Sequence, residues 1–188
     1  EEELRNSSME ERKENFKQIH DMLGGKVKLF ISGAASLDPA IEEKYRLLGI
    51  NIVQGYGLTE TSPVVAIGTN KEHKIGSIGK TVPSVKAKLV DINKEGVGEL
   101  VVKGPSIALG YYNNEKATKE SFKGDWFYTG DLAKIDKEGY IFICGRKKSV
   151  IVLKNGKNIF PEEMENLVNK IEGVTESFIF GKQQSDDK

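Results

Sequence analysis

Apolar positions follow a helical spacing in the first part of the chain and alternate in short runs after about residue 73, and the two textures predict different architecture. Ser8 followed by Glu11 reads as a capping box, after which Met9, Phe16, Ile19 and Leu23 fall on one helical face until Gly24 and Gly25 end it. That face is expected to be core. The run KVKLFIS, residues 26–32, is rich in strand formers and leads into Ser32-Gly33-Ala34-Ala35. Asp38-Pro39 is an N-cap with proline at the first helical position, and Ile41, Tyr45 and Leu48 form an apolar stripe up to Gly49. INIVQ, residues 50–54, then returns as a second strand.

Strand, short helix and strand make a crossover unit, which implies two parallel strands in one sheet. Their exits, SGAA at 32–35 and GYGLTE at 55–60, therefore emerge side by side at the edge where open α/β sheets place ligands. After residue 73 the segments SVKAKLVD, GELVVKG, GYIFIC and SVIVLK alternate between turns such as NKEGVG and DKEG, which predicts a small antiparallel unit. In LKNGKN, Asn155-Gly156 is a two-residue hairpin signal, because both central turn positions need positive φ. Pro161 with Glu162 and Glu163 opens a last helix, with Leu167, Val168 and Ile171 expected on its buried side. No internal repeat or low-complexity tract interrupts this order.

The 188 residues carry 28 Lys plus Arg against 28 Asp plus Glu, so no global field favours nucleic acid or an acidic membrane. Cys144 is the one cysteine, which excludes an internal disulfide and a cysteine-rich metal site and fits a reducing, cytoplasmic setting. No run approaches the roughly 18 apolar residues of a membrane span. The acidic, polar start is not a secretory signal, and both ends read as cut points in something larger.

Candidate chemistry collects in three stretches. In GYGLTE, Tyr56 offers a flat face to a purine, Gly55 and Gly57 permit close backbone approach, Thr59 can donate to a phosphate oxygen, and Glu60 supplies the hard oxygen that Mg²⁺ prefers. The plain alternative is a solvent loop; a dinucleotide fingerprint fails, because position 60 is not glycine or alanine and Pro63 follows. In YTGDL, Asp131 reads either as an Asx turn entering a strand or as a carboxylate for both ribose hydroxyls. Arg146, Lys147 and Lys148 read either as a solvated turn or as charge-assisted contacts to an anionic ligand.

Taken together, SGAASLDPAI, GYGLTET, GELVVKGPSIALGYYNNEKAT, WFYTGDL and GRKKSVIVLKNGKNIFPEEME resemble, in order, the motifs of the adenylate-forming enzymes: acyl-CoA synthetases, luciferases and peptide-synthetase adenylation domains. The wording is most similar to bacterial long-chain fatty acid CoA ligases. The fold this implies is α/β: a parallel-sheet βαβ portion at 1–73, an antiparallel β-barrel-like subdomain at 74–147, and the start of an α+β C-terminal domain at 148–188. By the same resemblance Gly33, Ala34 and Ala35 lie against adenine, Tyr56 stacks on its other face, and Gln54 and Gly55 border the purine edge. Thr59 would contact the α-phosphate, Glu60 would bind Mg²⁺, Asp131 and Arg146 would hold the ribose, and Ile143 would touch the nucleoside. Lys148 occupies the hinge position, and Gly156 would help to form the coenzyme A passage.

The reaction so implied joins a long-chain fatty acid to coenzyme A through an acyl-adenylate, with ATP and Mg²⁺ as further requirements. Membrane contact would at most be peripheral, at the inner face, and no oligomeric state follows. The family's phosphate-binding loop and C-terminal lysine have no counterpart in these residues, so the chain alone is expected to be inactive and to bind nucleotide weakly. Two other readings stay open: a fatty acyl-AMP ligase or peptide-synthetase-type adenylation domain, and a non-catalytic nucleotide-binding module.

Overall fold

The computed structural model describes residues 2–153 and 158–181. Helices α1 (Glu2–Asn6), α2 (Met9–Asn15) and α3 (Lys17–Met22) lead to β1 (Phe30–Ser32), α4 (Pro39–Leu47) and β2 (Ile52–Gly57). β1 and β2 pair in parallel, Phe30 opposite Ile52 and Ser32 opposite Gln54, as the crossover pattern predicted. The sheet then turns mixed. β3 (Val64–Ile67) adds antiparallel to β2, and β4 (Lys80–Thr81) to β3.

A second, antiparallel sheet has the order β5 (Lys86–Val90), β6 (Gly98–Lys103), β8 (Trp126–Ile135) and β7 (Phe122–Lys123), with β9 (Ile141–Arg146) also pairing β8; α5 (Glu115–Ser121) precedes β7. β10 (Ile151–Val152) pairs with β11 (Asn158–Ile159), and α6 (Pro161–Val168) follows. The predicted Asn155-Gly156 turn lies outside the described residues. One apolar cluster joins the two sheets: Val65, Ala66 and Ile78 from the β3 side pack with Leu100, Val102, Phe127, Ala133 and Ile141 from the antiparallel side. Ile78 N and Ile141 N also exchange backbone bonds across this junction, to Ile141 O and Gly79 O at 2.9 and 3.0 Å.

Several predicted buried faces turn outward. The capping box forms, with Ser8 Oγ accepting from Glu11 N at 3.2 Å and Glu11 Oε2 from Ser8 N at 2.7 Å. Yet the run breaks at Phe16, and Ile19, Leu23 and Met22 (88% exposed) are not core. The helices dock through Arg12, whose guanidinium donates to Leu4 O, Arg5 O and Arg46 O, and through His20, whose Nε2 lies 2.9 Å from Leu48 O. α4 is rotated from its predicted stripe: Ile41 and Tyr45 are exposed while Glu42 and Leu47 are buried. In α6 the buried residue is Pro161, while Leu167 (66% exposed) and, beyond the helix, Ile171 face solvent; Glu165 accepts from Ser177 Oγ at its carbonyl and from Ile179 N at its carboxylate.

Candidate functional site

Alternation along β8 buries Phe127, Thr129, Asp131 and Ala133, so Asp131 sits within a ten-residue strand and not at an Asx turn. Facing inward, it meets two other candidates. Tyr56 Oη donates to Asp131 Oδ2, and Arg146 Nε stands 3.0 Å from Asp131 Oδ1. Arg146 lies opposite Asp131 in the β8–β9 register, and its Nη1 also donates to the Thr129 carbonyl at 3.2 Å. Burial pushes the Asp131 pKa up, against the Tyr56 hydrogen bond and the Arg146 charge, which lower it; Glu99 adds to the rise. Burial, then the Asp131 charge, pushes the Tyr56 phenol up as well, so the phenol keeps its proton and donates.

Around this trio lies a hollow of about 200 Å³ whose walls include Ala34, Ala35, Gln54, Gly55, Gly57 and Ile143. The two loops predicted to emerge together do so: a Cβ on Gly33 would stand 3.5 Å from Gly55 O. Ala34 has φ +68°, a left-handed value uncommon outside glycine, and such backbone strain collects at ligand sites. Gly57 serves the chain itself, in addition to lining the hollow. A Cβ there would fall 1.9 Å from Pro63 O, the carbonyl that accepts from Leu58 N and closes the loop.

Beside the hollow a wider cleft of about 1050 Å³ is lined by Thr59, Glu60, Tyr111, Lys147 and Lys148, with Ala34, Gly57, Leu58 and Arg146 shared between the two. Glu60 is fixed twice: its carboxylate accepts from Tyr111 Oη and its carbonyl from Ala108 N, both at 2.8 Å. Among the described residues no cluster of three or more His, Cys, Asp or Glu could cage a metal ion. A single carboxylate on an open cleft nevertheless suits Mg²⁺ held mainly by nucleotide phosphates and water. The cation run divides its work. Arg146 pairs with Asp131, Lys147 with Glu99 at 2.6 Å, and Lys148 stands exposed on the cleft. Gly156 lies outside the described residues.

The sequence pattern of the AMP-binding enzyme family matches residues 3–112, more than half of the chain. A long-chain-fatty-acid CoA ligase of Mycobacterium bovis is 38% identical over 166 residues, which cover 88% of this chain and 27% of that protein. The chain belongs to the AMP-binding enzyme family. A 2-succinylbenzoate CoA ligase of Listeria monocytogenes is 37% identical over 86% of the chain and 33% of its own length, so the chain spans about a quarter to a third of these curated relatives. Among solved structures, the O-succinylbenzoate coenzyme A synthetase of Bacillus subtilis in complex with AMP aligns with a TM-score of 0.77 at 29% identity, over 84% of this chain and 34% of that one. The same enzyme with ATP and magnesium ion aligns at 0.76 and 27% identity, over 88% and 38%.

Motif reasoning missed groups that the fold brings in. Tyr111, in the GYY run, fixes Glu60; Glu99, in β6, anchors Lys147 and is itself buried; Gly76 and Ile78 line the hollow from a loop with no recognisable motif. The paired tyrosines after Gly110 were the one visible signal for Tyr111. Nothing in the local pattern marks Gly76.

Proposed function

We propose that the chain forms the purine, ribose and metal-facing part of the nucleotide site of an ATP-dependent ligase that joins a long-chain fatty acid to coenzyme A. The observation that carries this reading is the meeting of Tyr56, Asp131 and Arg146, from three separate strands, at one hollow. In it, Tyr56 covers the purine opposite Ala34 and Ala35. Asp131 accepts from the ribose hydroxyls, and the Arg146 pair orients that carboxylate and opposes the rise in its pKa that burial imposes. Thr59 donates to the α-phosphate, and Glu60 is the metal-facing carboxylate. Bound Mg²⁺ would offset charge on the phosphate oxygens as the fatty carboxylate displaces pyrophosphate. Lys148 is the hinge about which residues 148–188 turn as a separate unit, so that a second face meets the acyl-adenylate and the coenzyme A thiol. The divisions at 73/74 and 147/148 belong to this proposal, as does a cytoplasmic location.

Calorimetry with AMP tests the nucleotide reading: binding that Asp131→Ala weakens about tenfold or more supports it, and no AMP binding by the unsubstituted chain overturns it. A second reading for the acid is favoured by the 2-succinylbenzoate relatives. Pyrophosphate release by the protein as the cell makes it, with palmitate set against 2-succinylbenzoate in the presence of ATP and coenzyme A, decides between them. Preference for the aryl acid would refute the fatty-acid assignment.

A further inference from the structure

α4 buries the wrong residue for its own pattern. Its apolar Ile41 and Tyr45 face solvent, while Glu42, between them, is 0% exposed. Burying a carboxylate costs several kcal/mol unless hydrogen bonds replace its water, so some specific set of contacts must hold the helix at this rotation. Those contacts lead to the purine hollow. Glu42 Oε2 accepts from Gly76 N at 2.9 Å and from Gln54 Nε2 at 3.3 Å. Gln54 Oε1 in turn accepts from Leu37 N at 3.1 Å. On the far side, Glu42 Oε1 lies 2.9 Å from Nε2 of the buried His73.

Apart from the His73 contact, each bond ends on a wall of the hollow or next to one. Gly76 and Gln54 line it directly; Gln54 leads into Gly55 and Tyr56; Leu37 follows Ala34, Ala35 and Ser36. Glu42 itself does not line it. We infer that Glu42 is a positioning residue for the nucleotide hollow, one buried carboxylate that sets the spacing of three backbone walls from outside. The inference rests on the nucleotide reading above for what the hollow takes, but the clamp is a geometric statement about the hollow. Gly76 shows how the third wall is pressed into place: its φ is +77°, and a Cβ there would stand 3.2 Å from Pro39 Cγ at the start of α4. From Gly76 the loop runs to Ile78, whose backbone bond to Ile141 ties the same wall to the antiparallel sheet. Loss of Glu42 should therefore widen the hollow on the purine side and leave Thr59 and Glu60, on the cleft, in place.

The test combines binding with amide exchange on the 188-residue chain. AMP and GMP affinities are measured by calorimetry, well below each variant's melting temperature, for the unsubstituted chain, Glu42→Ala, Glu42→Gln and Ile41→Ala. A glutamine keeps an acceptor for Gly76 N; an alanine does not. We expect Glu42→Ala to lose tenfold or more in AMP affinity and to narrow the preference for AMP over GMP. Glu42→Gln should stay within about threefold of the unsubstituted chain, and Ile41→Ala should be unchanged. A general loss of stability would weaken both nucleotides alike, and would not be rescued by glutamine. A folded Glu42→Ala with unaltered AMP affinity and base preference overturns the inference.

Hydrogen exchange covers a variant that does not fold. In the unsubstituted chain the Leu37 and Gly76 amides should be protected, and Glu42→Gln should lower protection at Leu37, through Gln54, more than at Gly76. Free exchange at both amides in the unsubstituted chain also overturns the clamp. Protection at both with no AMP bound leaves the clamp standing and removes the nucleotide reading instead.

Discussion

In the antiparallel sheet Leu100, Val102, Phe127, Ala133 and Ile141 close one another off from water, whereas in β1 and α4 Phe30, Ile31, Ile41 and Tyr45 face solvent. The α/β end adds other means: the Glu42–Gln54 network and the Arg12 guanidinium across three carbonyls. The antiparallel half thus draws mainly on apolar burial, whereas the α/β end adds directed polar contacts to a smaller apolar set of Leu47, Ile50, Val53, Val65 and Ala66. The nucleotide hollow lies where they meet, with Asp131, Ile143 and Arg146 from the first and Ala34, Gln54 and Tyr56 from the second. Changes in apolar volume should therefore act most strongly in the first half, and a buried titrating pair, Glu42 with His73, marks the second.

The largest expected effect is in the sheet. Leu100→Ala removes a side chain that is 0% exposed among the cluster residues and should cost about 2–5 kcal/mol. Ile31→Ala, at a position 58% exposed on β1, should change stability by less than about 0.5 kcal/mol. Chemical denaturation of both variants reads the difference. Equal losses would mean that Ile31 is covered in solution, and the contrast between the halves would fall.

Protonation should act at the α/β end. Burial first, and the Arg46 charge second, bring His73 down to about 4 from the ordinary value of 6.5. Between those pH values the unfolded chain binds a proton that the folded one refuses. Its contribution is complete above about 6.5 and is lost as pH falls toward 4. Burial pushes Glu42 up, with the Gly76 and Gln54 bonds and Arg46 opposing. There the folded carboxyl keeps a proton that the unfolded one has released above 4.5, so its stabilising share is lost as pH rises through the folded value. The two slopes oppose each other. Glu42→Gln should remove the opposing carboxyl share and steepen the acid loss, of which His73 supplies of order 2 kcal/mol on going from pH 6.5 to 4, and His73→Asn should remove that part. Denaturation curves at several pH values check this; an acid limb identical in all three proteins would show that the pair does not titrate with folding.

Where local chemistry decides an outcome, the chain's letters reveal it: Ser8 and Glu11 form their box, Asp38 caps α4, and the crossover pairs β1 with β2 in parallel. The loops at Gly33 and Gly55 meet for the same reason, since parallel strands end on one edge. What pattern could not supply is which side of a helix finds a partner. Apolar periodicity assigns Ile41, Tyr45 and Leu167 to a core, but a face is buried only where enough packs on it, and these three stay 46%, 42% and 66% exposed. Asp131 and Arg146 were brought together in the sequence only by the family resemblance, which sets both on the ribose, and their direct ion pair rests on the β8–β9 register. Glu42 and Gly76 escaped notice altogether, since a carboxylate within an amphipathic helix and a glycine in a loop have no local signature.

The smallest expected effect tests how independent the polar-held end is. Ser8→Ala removes the side-chain acceptor for Glu11 N and should cost α2 about 1 kcal/mol of helix stability. α2 buries no residue completely, so that loss has no apolar core through which to spread. Arg12 still grips Leu4 O at 2.7 Å, Arg5 O at 3.0 Å and Arg46 O at 3.2 Å, which keeps the helix body attached to the end of α4 when its first turn loosens. Amide exchange should accordingly quicken about fivefold at Glu11 and Arg12, as a penalty of that size applied to local opening requires, while the global denaturation midpoint stays put. A falling midpoint would mean that this helix and the antiparallel core unfold as one unit, and that polar contacts transmit between the halves what apolar contacts do not.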